Sequence, residues 1–307
     1  MIENVQKTNG KNGLIELFRF LFAIWVVYFH GWLGVDGELF ADGYISVEFF
    51  FILSGFYLFK SFARVDDKPF FAGWWQFFKK RVCAIGLPLA ISFTFLIWYK
   101  LAFSFKIANL FVYMWFVPYM FVAFFVAYAL RRLIKNDVAL ICIFCVFVAT
   151  FYYVYWGLGI TWGIIRSIPG VSLGILISYI KPVVIKVGKI NLNAVALALT
   201  SVGVFVCAML PKPDLTLELI LCLALFPILV YLLNTGHVKC KPFEFLGALS
   251  FSFYAYQMIP LVLYRYFVIE KFYYFIIICA LSLITYYINA HFKAKKSPAN
   301  AKNAPKN

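Results

Sequence analysis

Charge is scarce in this sequence: Asp, Glu, Lys and Arg make up only 13% of its 307 residues, against about 25% in a typical soluble domain. Hydrophobic residues make up 64% and the mean hydropathy is +0.88, so a soluble globular fold is excluded. Acidic residues are the scarcer sign, 13 against 28 basic, giving a net charge of +15. The positive residues nevertheless lie scattered in short loops and a tail, and no basic face exists to bind nucleic acid. A metal-ligand set is missing too. Cys142 and Cys145 form a C-x-x-C with no second ligand pair and no basic neighbour, and the seven cysteines read as small hydrophobes filling the core. The ten-residue alternation of an outer-membrane barrel is absent, and no small-x-small cleavage site follows the first apolar run.

What the chain does have is apolar runs of about 20 residues separated by short charged breaks, the pattern of transmembrane helices. The expected fold is therefore all-α, a polytopic membrane protein of about ten spans. These fall near 14–33, 43–62, 82–100, 108–130, 138–156, 160–180, 190–210, 215–234, 244–263 and 268–290. A polar lead covers 1–13, the membrane domain 14–290, and a Lys, Ala, Asn and Pro rich tail, expected to be disordered, 291–307. With the N-terminus inside, twenty of the 28 basic residues fall in cytoplasmic segments and five in outer loops, so both termini are expected in the cytosol.

Against this apolar background, ionisable residues within spans stand out, because each costs about 2.5–3.5 kcal/mol even on lenient insertion scales. The first span holds Arg19 and His30; the second holds Glu48 and a Ser54-Gly55-Phe56 turn. Eleven residues at about 100° each amount to three turns plus roughly 20°, so Arg19 and His30 share one face, about 16 Å apart along the axis. Arg19 and Arg81 then lie towards the cytosol, whereas His30, Glu48, Arg166 and Gln257 lie in the outer half. Glu48 beside His30 would fix the imidazole as a general base, and Arg166 would steady negative charge on a carbonyl oxygen. Basic groups at the opposite end suit a phosphate-bearing cofactor. Each residue also has a plainer reading: His30 as an interfacial histidine, Glu48 in a structural pair with Arg166, Arg81 as a positive-inside anchor, Ser54-Gly55 as a helix-packing notch.

Taken together, the motifs resemble the acyltransferase 3 family of bacterial integral membrane acyltransferases. Arg19 and His30, with ten residues between them, match its N-terminal signature, and Gly43-Tyr-Ile-Ser-Val-Glu-Phe-Phe-Phe-Ile-Leu-Ser-Gly-Phe56 is similar to its second-helix signature, with Glu48 where Asp is common. Met114-Trp-Phe-Val-Pro-Tyr119, Arg166-Ser-Ile-Pro-Gly-Val-Ser-Leu-Gly174 and Phe245-Leu-Gly-Ala-Leu-Ser-Phe-Ser-Phe-Tyr254 resemble later segments in the same order. Two departures stand out. The family's third helix usually opens on two arginines followed closely by proline, whereas here Arg81 is followed by Ala84 and only later by Pro88; Gln257 stands where a histidine is usual.

The resemblance implies an enzyme that transfers an acyl group, usually acetyl from acetyl-CoA, to a hydroxyl of a cell-surface glycan or its lipid-linked precursor. It implies His30, Glu48 and Arg166 as catalytic residues, and Arg19, Lys80, Arg81, Ser54 and Gly55 around the acyl donor. The expected setting is the bacterial inner membrane, with the lipid bilayer and the glycan acceptor as partners, and no metal. Any extracytoplasmic transferase or glycan-assembly protein that completes the reaction would be a separate chain. Competing readings are an exporter of envelope polysaccharide, since intramembrane charges also mark substrate paths, and a structural subunit of an envelope-synthesis complex.

Overall fold

A computed structural model describes residues 2–4, 11–32, 43–103, 115–161, 163–188, 190–210, 215–260, 263 and 271–302. Each expected span carries a helix. In chain order these are α1 (Gly13–Trp32), α2 (Ser46–Phe62), α3 (Phe70–Phe103), α4 (Phe116–Leu133), α5 (Asp137–Gly157), α6 (Gly163–Tyr179), α7 (Leu192–Met209), α8 (Leu215–Leu233), α9 (Lys241–Tyr256) and α10 (Lys271–Lys302). Among the described residues, eight helices are long and apolar enough to cross a membrane; α6 and α9 are shorter. The expected starts at 108 and 268 lie outside the described residues.

The structure corrects several boundaries, each for a physical reason. α3 begins at Phe70 and not near 82, because Lys79, Lys80 and Arg81 lie within a continuous helix of 34 residues. Lys79 and Lys80 are exposed, while Arg81 stacks over Phe77 and Phe124, so charges that read as a loop are carried on the helix surface. α10 continues to Lys302, through much of the tail expected to be disordered. A small antiparallel sheet also forms, in which β1 (Ile2–Asn4) pairs with β2 (Val183–Val187) and β2 with β3 (Ile190–Asn191). The β2–β3 turn uses Gly188 at φ 59°, as tight hairpins require. Of the cysteines, only Cys222 is buried; Cys83, Cys142, Cys145 and Cys279 are exposed and so do not fill the core as expected.

Two helix pairs position the site. α1 and α9 run side by side in the same direction: the Gly13 amide donates to the Val238 carbonyl at 2.7 Å just before α9, and the rings of Phe20 and Phe253 meet at 5.1 Å. Asn12 fastens that end by donating to the carbonyls of Leu233 and Gly236, both at 2.7 Å. α2 and α6 cross so closely that a Cβ on Gly55 would strike the Val171 backbone, and one on Gly174 would strike the backbone at Ile52 and Phe56. Gly55→Val is therefore expected to force α2 away from α6 and to cut folded protein in the membrane. Gly86→Ala, at a helical position with open space around it, is expected to be neutral or to stabilise by up to about 1 kcal/mol. Membrane levels and melting temperature of the two variants check this; equal behaviour would mean the crossing does not depend on Gly55.

Candidate functional site

α2 divides its side chains between two neighbours, and the division creates the site. Val47, Phe50, Ser54 and Tyr57 recur at helical spacing along one face, while Glu48, Phe51, Ile52 and Gly55 face α6.

The first face lines a cavity of about 470 Å³. Its polar end is built by Lys11, Glu16 and Arg19 at the start of the chain and α1, Tyr57 from α2 and Arg81 from α3; Ser54 lies further in. Its apolar end is built by Val26, Val47, Phe50, Phe116 and Tyr254. Arg19 Nη1 donates to Glu16 Oε2 at 2.8 Å and Arg81 Nη2 to Ser61 Oγ at 3.0 Å, so each guanidinium spends one donor of five on holding its position. The structure thus brings Arg19, Arg81 and Ser54 together from three helices. It does not bring the other two expected donor-site residues there: Lys80 is exposed outside the cavity wall, and Gly55 packs against α6.

The second face carries a buried ion pair. Arg166 Nε donates to Glu48 Oε1 at 2.8 Å, and the side chains are only 8% and 3% exposed. Tyr152 donates its hydroxyl proton to Glu48 Oε2 at 3.3 Å, and Arg166 Nη2 donates to the Tyr44 carbonyl at 3.0 Å. Around the guanidinium stand the rings of Trp115, Tyr155 and Tyr44, with centroids at 5.2, 5.4 and 5.6 Å. The Tyr44 hydroxyl and Trp156 Nε1 both donate to Glu218 on α8, the indole at 3.0 Å. A carboxylate, a guanidinium and a second carboxylate are thus joined across α2, α5, α6 and α8 in surroundings where electrostatic interactions are strong.

This arrangement revises the expected role of Glu48. Its oxygens are taken by Arg166 and Tyr152, and among the described residues neither oxygen bonds to His30. Arg166 likewise commits its fork to Glu48 and Tyr44 and is not held out towards a substrate oxygen. The physical reason is the α2 helix itself, which sets residue 48 about 100° round from the cavity-lining residue 47. His30 sits four residues beyond Val26 on the stripe that also carries Arg19, and its ring lies edge-on to Phe29, centroids 4.9 Å apart. Phe29 in turn packs on Tyr44 at 5.7 Å, and Tyr44 on Arg166 at 5.6 Å, so a run of aromatic contacts links His30 to the ion pair.

Sequence reasoning missed Tyr152, Trp156 and Glu218. A signal existed for Glu218, which is the sole acidic or basic residue in Leu215–Leu233 and meets the same criterion that singled out Glu48. The π-helical turns Tyr153–Gly157, which contains Trp156, and Leu221–Leu225, which follows Glu218, leave no pattern that hydropathy reads.

A family model described as an acyltransferase domain matches residues 12–290, which takes in α1 to α9, both faces of α2 and every site residue above except Lys11. No curated protein and no solved structure matches the chain.

Proposed function

The chain belongs to the acyltransferase 3 family, and from that premise we propose that this membrane acyltransferase moves an acyl group, most simply acetyl, from acyl-CoA to a hydroxyl of a cell-surface glycan or its lipid-linked precursor. The observation that supports the reading is the cavity, which is basic at one end and whose apolar end reaches Val26, about one helical turn short of His30 on the same α1 stripe. Its residues fit such a donor. Arg19 and Arg81 offer planar forks for phosphate oxygens, Lys11 adds charge, and the apolar end excludes water from an extended thioester arm. With the basic end in the cytosol of the bacterial inner membrane, the donor enters where it is made and the acceptor approaches from the opposite side.

His30 is the general base of this reading. Its imidazole accepts the proton of the attacking hydroxyl as the new C–O bond forms at the acyl carbon. The C–S bond then breaks, and the same proton passes to the departing sulfur. Glu48 and Arg166 hold α2 against α6 and so fix the wall opposite α1; they position and do not touch the reacting atoms. About 470 Å³ is the size of a small-ligand site, which favours transfer over export of a polymer.

Membrane vesicles supplied with acyl-CoA labelled in the acyl group test the proposal. Label is expected in the glycan fraction. Arg81→Met, which keeps the stacking on Phe77 and Phe124, is expected to raise the donor KM by about 10- to 100-fold, the value of one or two charge-assisted hydrogen bonds, with little change in kcat. Unlabelled glycan, with less polymer at the surface when the protein is removed, would point to export instead.

A further inference from the structure

Tyr44 joins the ion-pair network to the aromatic contacts that lead to His30, and it does so with three different parts of the residue. Its carbonyl accepts from Arg166 Nη2 at 3.0 Å, and its hydroxyl donates to Glu218 on α8. Its ring packs both on the Arg166 guanidinium, at 5.6 Å, and on the Phe29 ring, at 5.7 Å. Phe29 then meets the His30 ring edge-on at 4.9 Å.

The backbone that carries Tyr44 is fixed as firmly as its side chain. Tyr44 lies in the 3₁₀ turn Gly43–Ile45, which packs so tightly on α1 that a Cβ on Gly43 would strike the Trp25 carbonyl and the Phe29 Cβ. Ser46, fully buried, closes the turn by donating to the Gly43 carbonyl at 2.6 Å. Glu218 also accepts from Trp156 Nε1 at 3.0 Å, so the Tyr44 hydroxyl is tied to a carboxylate that α5 itself holds.

A general base moves a proton well only when its ring is held at the right distance and angle, and about 1 Å of misplacement can cost 10²-fold in rate. Glu48, the residue expected to supply that hold, spends its oxygens on Arg166 and Tyr152. Edge-to-face contact is a preferred geometry for aromatic rings, so fixing Phe29 restricts the ring that meets it. Resting on the reading of His30 as the general base, we propose that Tyr44, fixed by Glu218 and Arg166, braces Phe29 and through it holds the His30 imidazole in its working orientation. Tyr44 is thus a positioning residue, which acts through its neighbours and does not touch the reacting groups.

The test uses the full-length protein, in membrane vesicles for activity and in detergent for spectroscopy. Tyr44→Phe, which keeps the ring but cuts the tether to Glu218, is expected to lower kcat for acyl transfer about 3- to 10-fold, and Tyr44→Leu, which removes the ring, about 10- to 100-fold, both with the donor KM unchanged. In the His30→Ala background neither substitution is expected to lower transfer further, because a residue that acts through His30 has nothing left to position. The chain has three histidines, so with isotopically labelled histidine the His30 ring signal is assigned by its loss in His30→Ala. That NMR signal is expected to shift or broaden in both Tyr44 variants, while those of His237 and His291 stay in place. If Tyr44→Leu does not reach the membrane, Tyr44→Phe decides by the same readings. A second fall in the His30→Ala background, an unmoved His30 signal or an unchanged kcat would overturn the proposal and leave the general base standing. Full transfer by His30→Ala would overturn the general base itself and this proposal with it.

Discussion

Glu48→Leu is expected to destabilise the protein by about 3–5 kcal/mol, the loss usual when one partner of a buried ion pair is removed. The physical reason lies in what remains. Arg166 would be left charged, 8% exposed and surrounded by Trp115, Tyr155 and Tyr44, with the Tyr44 carbonyl its remaining hydrogen-bond partner. Tyr152 would lose its acceptor at the same time. Arg166→Met should cost a similar amount, by stranding the carboxylate. The double variant should recover most of the loss, because two apolar side chains replace the pair without leaving a charge behind. Unfolding in detergent, followed by tryptophan fluorescence, reads all four corners of this cycle, with Trp115 and Trp156 close to the pair. Additive single losses would mean that the two residues act independently and that the ion pair does not hold α2 to α6.

His30→Ala carries the largest expected effect on chemistry: a fall in acyl transfer of about 10²- to 10⁴-fold, the usual contribution of a positioned general base. Donor affinity should hardly change, because Arg19 lies about 16 Å away along α1. The variant should also insert and fold normally, since His30 is only partly buried and belongs to none of the three hydrophobic clusters. This separates it from Glu48→Leu, which should lose activity through loss of folded protein.

The sequence revealed the faces of helices but not their neighbours. Arg19 and His30 fall on one stripe by arithmetic alone, and the structure places Arg19 in the cavity wall with Arg81 and Ser54. Glu48 stood out as an intramembrane carboxylate, but periodicity does not say which of several helices it meets, and its partner lies 118 residues away. Ser54 and Gly55 read as one turn, yet adjacent positions differ by about 100°, so Ser54 lines the cavity while Gly55 is a packing notch. Trp115 and Phe116 divide in the same way, one stacking on Arg166 and the other closing the apolar end of the cavity. The α3 boundary was hidden by three basic residues that interrupt hydropathy without interrupting the helix. The polar links from Tyr152 and Trp156 were hidden because aromatic residues are so abundant here that two more carry no signal.

The most direct test of the account compares surface glycans, by mass spectrometry or proton NMR, from cells lacking the protein and complemented with wild type or with His30→Ala at equal membrane levels. The account predicts that O-acyl signals return with wild type and not with the variant, while the amount of glycan stays constant. O-acyl content unchanged throughout, with less glycan at the surface when the protein is absent, would contradict it.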